Sequence, residues 1–255
     1  MTTLPVFRAE TQLLAGAAAG DPIVLRGAEA RHAATVRRMS PGEHLELVDG
    51  RGLRVAGEVR SAQGEELALT VVSARHEPAR SPELLLVQAL AKGDRDLQAV
   101  ESCTELGIDA VVPWQAERSI ARLRPERRDK QLAKWESTLT SAAKQSRRAH
   151  WPRLDQPVTS GSLAAAIAER PRTRWLLLHE SARDRLCALA PQLAADEGLE
   201  AIGLIVGPEG GVSDAELERF AAAGAQPVLL GPEVLRSSTA GAAAVAVLSA
   251  GLGRW

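Results

Sequence analysis

Two short apolar runs late in the chain end in almost the same loop. Ile202 to Val206 stops at Gly207-Pro208-Glu209-Gly210-Gly211, and Val228 to Leu230 stops at Gly231-Pro232-Glu233. Glycine and proline punctuate regular structure, so each run reads as a strand cut off at a tight loop. One helix fits between them. Ser213-Asp214-Ala215-Glu216 has the form of a capping box, and Gly224 supplies the stop. Strand, loop, helix, strand, loop dictates parallel strands whose loops share one edge of a sheet. That is the edge at which α/β proteins bind ligands.

The same alternation extends upstream. Leu84 to Ala89 is a near-continuous apolar run, as in a strand buried on both faces. Asp94 to Leu106 carries apolar residues at 97, 100, 103 and 106, a helical spacing closed by Gly107, and Ile108 to Pro113 is the next strand. Arg127 to Ala149 reads as one long helix, Trp175 to Leu178 as a strand ending at His179, Leu186 to Ala195 as a helix, and Thr239 to Leu252 as a last, apolar helix. Before Glu77-Pro78 the pattern differs. Ile23 to Leu25, His44 to Asp49, Leu53 to Arg60 and Leu67 to Val72 are short strands with turn signals at Asp49-Gly50 and Gln63-Gly64, and one helix is expected over Ala28 to Arg38. Several strands and one helix in so few residues predict a small barrel. Two domains follow: residues 1–78 β-rich, 79–82 a proline-containing linker, and 83–255 α/β.

The two cysteines, Cys103 and Cys187, exclude a disulfide framework and a Cys-rich zinc site, and they fit a reducing cytosol. The start lacks a signal-peptide pattern, and no apolar run reaches the length of a membrane span. A cytoplasmic protein without a membrane partner or a metal is expected. The net charge of −1 hides an asymmetry. Between Arg118 and Arg153 stand eleven Lys or Arg against Glu126, Asp129 and Glu136. With so few acids to pair, the stretch favours a polyanion over a merely solvated helix. Arg31, Arg37 and Arg38 on the first-domain helix offer a second basic face, although a generic solvated face fits them equally.

The loop glycines permit positive φ and close backbone approach, so loop N–H and C=O groups can face a nucleotide-like ligand. The segment lacks the GK[ST] of a phosphate-binding P-loop and is not GxGxxG. Leu230 to Gly241 adds an arginine beside three hydroxyl residues at a helix start, a charged donor amid short polar groups. The competing readings are a tight turn and an ordinary helix cap.

Taken together, LIVGPEGGVSDAELERF and LLGPEVLRSSTA resemble the C-terminal motifs of the SPOUT class of RNA methyltransferases. More closely, the chain resembles the bacterial 16S ribosomal RNA uridine N3-methyltransferases, the small subunit methyltransferase E family. HLELVDG, ESCTELGIDAVVPWQAERS and AAKQSRR carry the likeness across nearly the whole chain. The resemblance implies a PUA-like barrel used for RNA, a SPOUT domain with a deep trefoil knot, S-adenosyl-L-methionine as cofactor and a homodimer acting on 16S rRNA in an assembled small ribosomal subunit. It places Leu178 and His179 against the cofactor. The same holds for Val206, Gly207, Pro208, Glu209, Gly210 and Gly211, and for Leu230, Gly231, Val234, Leu235, Arg236, Ser237, Ser238, Thr239 and Ala240. Contacts to RNA are expected from Arg31, Arg37, Arg38, Lys92, Arg118, Lys144, Gln145, Arg147 and Arg148. The chain departs from the family pattern in carrying Ser238 where many relatives have a glutamate. Lys144 and Arg147 stand where others have an acid and a glycine.

Uridine N3 carries a proton at neutral pH and must lose it to attack a methyl group. Arg236 is the expected catalytic residue, as a donor to charge developing on the uracil oxygens, and Glu209 is the weaker candidate for a base. Two alternatives stand beside this: another SPOUT activity, ribose 2′-O or guanosine N1 methylation, and a non-catalytic RNA-binding protein of ribosome assembly.

Overall fold

A computed structural model describes residues 4–255. The chain divides into two compact units. The first holds the described residues through Ala79 together with Ala143–Trp151, and the second holds Arg80–Ala142 and Pro152–Trp255.

In the first unit, β1 (Val6–Arg8), a short α1 (Thr11–Leu14), β2 (Pro22–Arg26), α2 (Ala28–Arg31), β3 (His44–Val48), β4 (Leu53–Gln63) and β5 (Glu66–His76) build a sheet of order β1-β3-β4-β5-β2. Asp49 shapes the β3–β4 turn, its Oδ1 accepting from the N–H groups of Arg51 (2.7 Å) and Leu53 (3.0 Å). The alternation read from the sequence lays Leu45, Leu47, Val55, Val59, Leu67 and Leu69 onto one core with Phe7 and Leu14. The expected barrel is a half-barrel: β1 and β2 are edges and do not pair with each other among the described residues. The register shift at Ala56/Gly57 skips Val72 of β5 and the one at Val59/Ser61 skips Arg60 of β4, so each of the two strands carries a bulge, and bulges bend a strand.

The expected helix over Ala28 to Arg38 is regular only to Arg31 and continues as a π turn, His32–Val36, with Arg37 N–H donating to His32 C=O at 2.9 Å. A π turn adds a residue per turn, so the 3.6-residue spacing lapses. Arg38 follows in the left-handed conformation (φ 53°). Arg31 and Arg38 are therefore not related by the regular helical spacing on which a shared face was expected.

Ala143–Trp151 returns to this unit. Trp151 N–H donates to Gly50 C=O (3.0 Å), Gly52 N–H donates to Ala149 C=O (3.1 Å), and the Arg8 guanidinium sits 5.0 Å over the Trp151 ring. Arg54, buried, donates to Glu46, to Glu77 and to the Arg147 carbonyl (2.8 Å). The sequence expectation placed residues 143–151 with the rest of 83–255.

The second unit contains β6 (Glu83–Ala89), α3 (Arg95–Leu106), β7 (Ala110–Gln115), α4 (Arg128–Gln145), β8 (Arg153–Leu154), β9 (Val158–Thr159), α5 (Ser160–Glu169), β10 (Thr173–Leu178), α6 (Leu186–Ala194), β11 (Ala201–Val206), α7 (Asp214–Ala223), β12 (Gln226–Val228) and α8 (Ser237–Gly251). The last residues of α4 belong to the first unit. All strand pairs of this sheet are parallel, in the order β12-β10-β11-β6-β7-β8, with β9 also on β7. Leu84 and Leu86 face α3, α4, α6 and α8, while Leu85 and Val87 face α5 and α7. A strand covered on both faces is apolar throughout, which is why Leu84 to Ala89 shows no polar alternation. The long helix stops short of Ala149, because Arg147 turns left-handed (φ 57°). No helix among the described residues is long and apolar enough to cross a membrane.

Candidate functional site

The loops after β10, β11 and β12 meet at the carboxyl edge of the sheet and enclose a cleft of about 580 Å³. This lies within the range of small-molecule sites. Its floor is the segment after Val206. Gly211 N–H donates to the Pro208 carbonyl at 2.9 Å, and Gly211 takes φ 73°, a conformation that side chains disfavour. Packing also restricts this loop. A Cβ on Gly207 would lie 2.8 Å from Val212 Cγ2, and one on Gly210 would lie 3.1 Å from both Cβ and the carbonyl oxygen of Arg118.

The capping box read from the sequence forms: Glu216 N–H donates to Ser213 Oγ (3.2 Å), and Ser213 N–H donates to Glu216 Oε2 (3.1 Å). Fully buried, the same carboxylate accepts from Ser160 Oγ (2.5 Å) and from Glu117 N–H (2.8 Å).

The opposite wall is the start of α8. Arg236 is its N-cap, and its carbonyl accepts from the N–H groups of Thr239 and Ala240, both at 2.9 Å. Gly241 allows α8 to approach β6, since a Cβ there would meet Leu86, Cys103 and Val206. Burial pushes the Cys103 thiol up to about 12, so it is a neutral core group and not a nucleophile. Ser237 lines the cleft, and its buried Oγ has no hydrogen-bond partner among the described residues. A buried hydroxyl left unpaired costs stability until a ligand or water satisfies it.

Charged side chains also line the cleft. Glu209 Oε1 accepts from Lys92 N–H (3.2 Å) and from Arg95 Nη1 (3.0 Å). Arg118 Nη1 donates to the carbonyls of Gly210 (3.5 Å) and Val212 (3.4 Å). The Arg236 guanidinium, exposed at the cleft, has no partner among the described residues. The site thus combines backbone groups freed by glycine, an apolar wall at Leu178, Val206 and Leu235, and one unengaged cation.

Residues 79–249 match the RNA methyltransferase domain family, and residues 25–72 match the RNA methyltransferase PUA domain. The ribosomal RNA small subunit methyltransferase E of Mycobacterium tuberculosis is 40% identical over 92% of this chain and 89% of its own length. The chain belongs to the small subunit methyltransferase E family. Its Bacillus subtilis member is 26% identical over 88% of each chain. The Neisseria gonorrhoeae member, solved bound to S-adenosyl methionine, superposes with a TM-score of 0.82 at 26% identity, covering 97% of this chain and 98% of that one. A Legionella pneumophila protein solved in complex with the cofactor SAM gives the same TM-score and identity over 98% of each chain.

Against this family's motifs, the fold gathers Leu178, His179, Val206, Gly207, Pro208, Glu209, Gly210, Gly211, Val234, Leu235, Arg236, Ser237 and Ala240 around the cleft. Leu230 and Gly231 line an adjoining hollow of about 100 Å³. Ser238 and Thr239 line neither. Helical spacing accounts for this, since 237 and 240 share a face that 238 and 239 turn away from. Ser238 is buried within the first turn of α8, and Thr239 is exposed.

The candidate RNA residues fall into two groups. Lys92 and Arg118 lie in the second unit beside the glycine loop. Arg31, Arg37, Arg38, Lys144, Gln145, Arg147 and Arg148 lie in the first. Several cations of the basic run are engaged within the protein. Lys144 Nζ is 2.8 Å from both oxygens of Glu29, and Arg153 pairs with Glu83 and Asp155. Arg31 pairs with Glu65. Sequence reasoning missed Arg95, which opens α3 outside the basic run. Its signal is the Lys92-Gly93-Asp94-Arg95 turn after a buried strand, a place where α/β folds put ligand contacts.

Proposed function

We propose that this chain methylates N3 of a uridine in 16S ribosomal RNA, using S-adenosyl-L-methionine. The observation that carries the reading is the glycine-floored cleft faced by Arg236, in a chain of the small subunit methyltransferase E family whose Neisseria relative binds S-adenosyl methionine at the same overall fold. The residues present fit this cofactor. The Val206–Gly211 backbone suits an adenine edge, Leu178 and Leu235 give apolar cover, and the unpaired Ser237 Oγ awaits a polar partner. When bound, it supplies an electrophilic sulfonium methyl.

The protein's part is alignment and charge. The target base leaves its stack to enter the cleft, and holding N3 in line replaces a bimolecular encounter. Arg236 donates to the uracil oxygens as N3 loses its proton. Glu209 holds one oxygen against Lys92 and Arg95, and its Oε2, without a partner among the described residues, accepts that proton. We further assign the first unit as a PUA-like RNA-binding domain and the second as a SPOUT domain with a trefoil knot. The working form is a cytoplasmic homodimer acting on the assembled small subunit.

Mass spectrometry of rRNA nucleosides from cells with and without the gene tests the activity. N3-methyluridine is expected to vanish without the gene and return with the wild-type copy. Unchanged N3-methyluridine sinks the reading, loss of a 2′-O-methyl or N1-methylguanosine mark redirects it, and absence of cofactor binding leaves a scaffold role.

A further inference from the structure

The cleft floor is gripped from two sides by arginines whose outer faces are open to solvent. Arg95, the first residue of α3, holds the Glu209 carboxylate through Nη1 with its side chain 44% exposed. Arg118, in the segment after β7, holds the Gly210 and Val212 carbonyls through Nη1 and is likewise exposed. The contacts are made to opposite parts of one loop: a side chain at 209 and backbone oxygens at 210 and 212. Each guanidinium carries five N–H donors in a fixed fork, and the contacts described use only one nitrogen of each. The remaining donors lie at the rim of the cleft, where a nucleotide entering it would bring its phosphates. Guanidinium suits bidentate phosphate recognition.

We infer that Arg95 and Arg118 couple RNA binding to cofactor binding by bridging RNA phosphates to the cofactor loop. This rests on the proposed function and adds a relation between its two ligands. A phosphate on the free donors fixes each guanidinium, and each fixed guanidinium fixes its end of the Glu209–Val212 loop. The ordering cost of that loop is then met once for both ligands. Linkage makes the effect reciprocal: cofactor tightens RNA by the same factor as RNA tightens cofactor.

The test is equilibrium dialysis of S-adenosylhomocysteine, which has no methyl to transfer, against the full chain. It is run alone and with saturating small ribosomal subunits from cells lacking this gene. Subunits are expected to lower its Kd about fivefold or more, and the reverse titration is expected to give the same ratio. In Arg95→Ala/Arg118→Ala the ratio falls toward one. Arg95→Lys/Arg118→Lys, which keeps charge but not the fork, gives an intermediate ratio and guards against loss of the loop itself. Independent binding in the wild type, or coupling undiminished in the double alanine variant, overturns the inference and leaves the methyltransferase reading standing. Failure of either ligand to bind at all overturns both.

Discussion

Ser160 Oγ donates to Glu216 Oε1 across 2.5 Å inside the protein, linking the start of α5 to the first turn of α7. The carboxylate also accepts from Glu117 N–H and Ser213 N–H, so three chain segments converge on one side chain next to the glycine loop that floors the cleft. The Ser160 hydroxyl oxygen in turn accepts from Trp114 Nε1 at 3.2 Å. Glu216 looks in sequence like an ordinary capping-box residue; in the fold it joins the segment after β7 to the loop after β11.

Glu216→Ala takes the acceptor from three donors, Ser160 Oγ and Ser213 N–H in the interior and Glu117 N–H at its edge, and breaks the return bond of the capping box. Unfolding free energy should fall by about 3 kcal/mol, read as a shift in urea midpoint at constant slope. Glu216→Gln keeps acceptor capacity on one oxygen and should cost clearly less. Equal losses would show that packing, not hydrogen bonding, sets the value of this side chain.

Gly210→Ala drives a Cβ to within 3.1 Å of the Arg118 carbonyl oxygen, which is backbone and cannot swing aside. Overpacking of this kind costs about 1–3 kcal/mol, and here it displaces the cleft floor. Cofactor affinity by calorimetry should weaken about tenfold. Gly231→Ala is the matched control. Its new methyl meets only the Glu233 carboxylate at an ordinary 3.7 Å, so affinity should stay within about twofold.

Arg236→Ala should cut methyl transfer by about 100-fold while the cofactor Kd changes by only about twofold. Its guanidinium supports no other described residue, so stability should hold. Parallel loss of rate and cofactor affinity would reassign Arg236 to cofactor binding.

Burial holds the Cys103 thiol protonated, whereas Cys187 is exposed. Native protein should therefore take up one equivalent of iodoacetamide, at Cys187, and denatured protein two, counted by intact mass. The linkage has a definite sign. As pH rises past the ordinary thiol range the unfolded chain loses this proton while the folded chain keeps it. The contribution is therefore complete below that range and is lost toward about 12. Cys103→Ala should flatten that alkaline decline in the unfolding free energy.

The strands of the second unit and the loops that end them were legible because the residues declare them locally. Leu84 to Ala89 is apolar on both faces, and GPEGG and GPE break the runs they follow. The helix over Asp94 to Leu106 and its Gly107 cap were legible for the same reason. What escaped was decided by distant partners. The His32–Val36 π turn carries no local marker separating it from a regular turn. Neither does Arg147, whose left-handed backbone sits where its carbonyl receives Arg54. Within the site, position along a helix separates Ser237 and Ala240 from Ser238 and Thr239, a distinction that depends on α8 starting at 237. Arg95 stayed hidden because its importance comes from Glu209, 114 residues away.

The excursion of Ala143–Trp151 into the first unit bears on how such proteins can be taken apart. A gene cut at the 79–82 linker yields two fragments, and neither is self-contained. The first lacks the carbonyl that satisfies Arg54 and the indole beneath Arg8, and the second trails a nine-residue segment cut off from the β3–β4 turn it pairs with. Recombination that exchanged the first unit for a foreign module would have to replace residues 143–151 along with it.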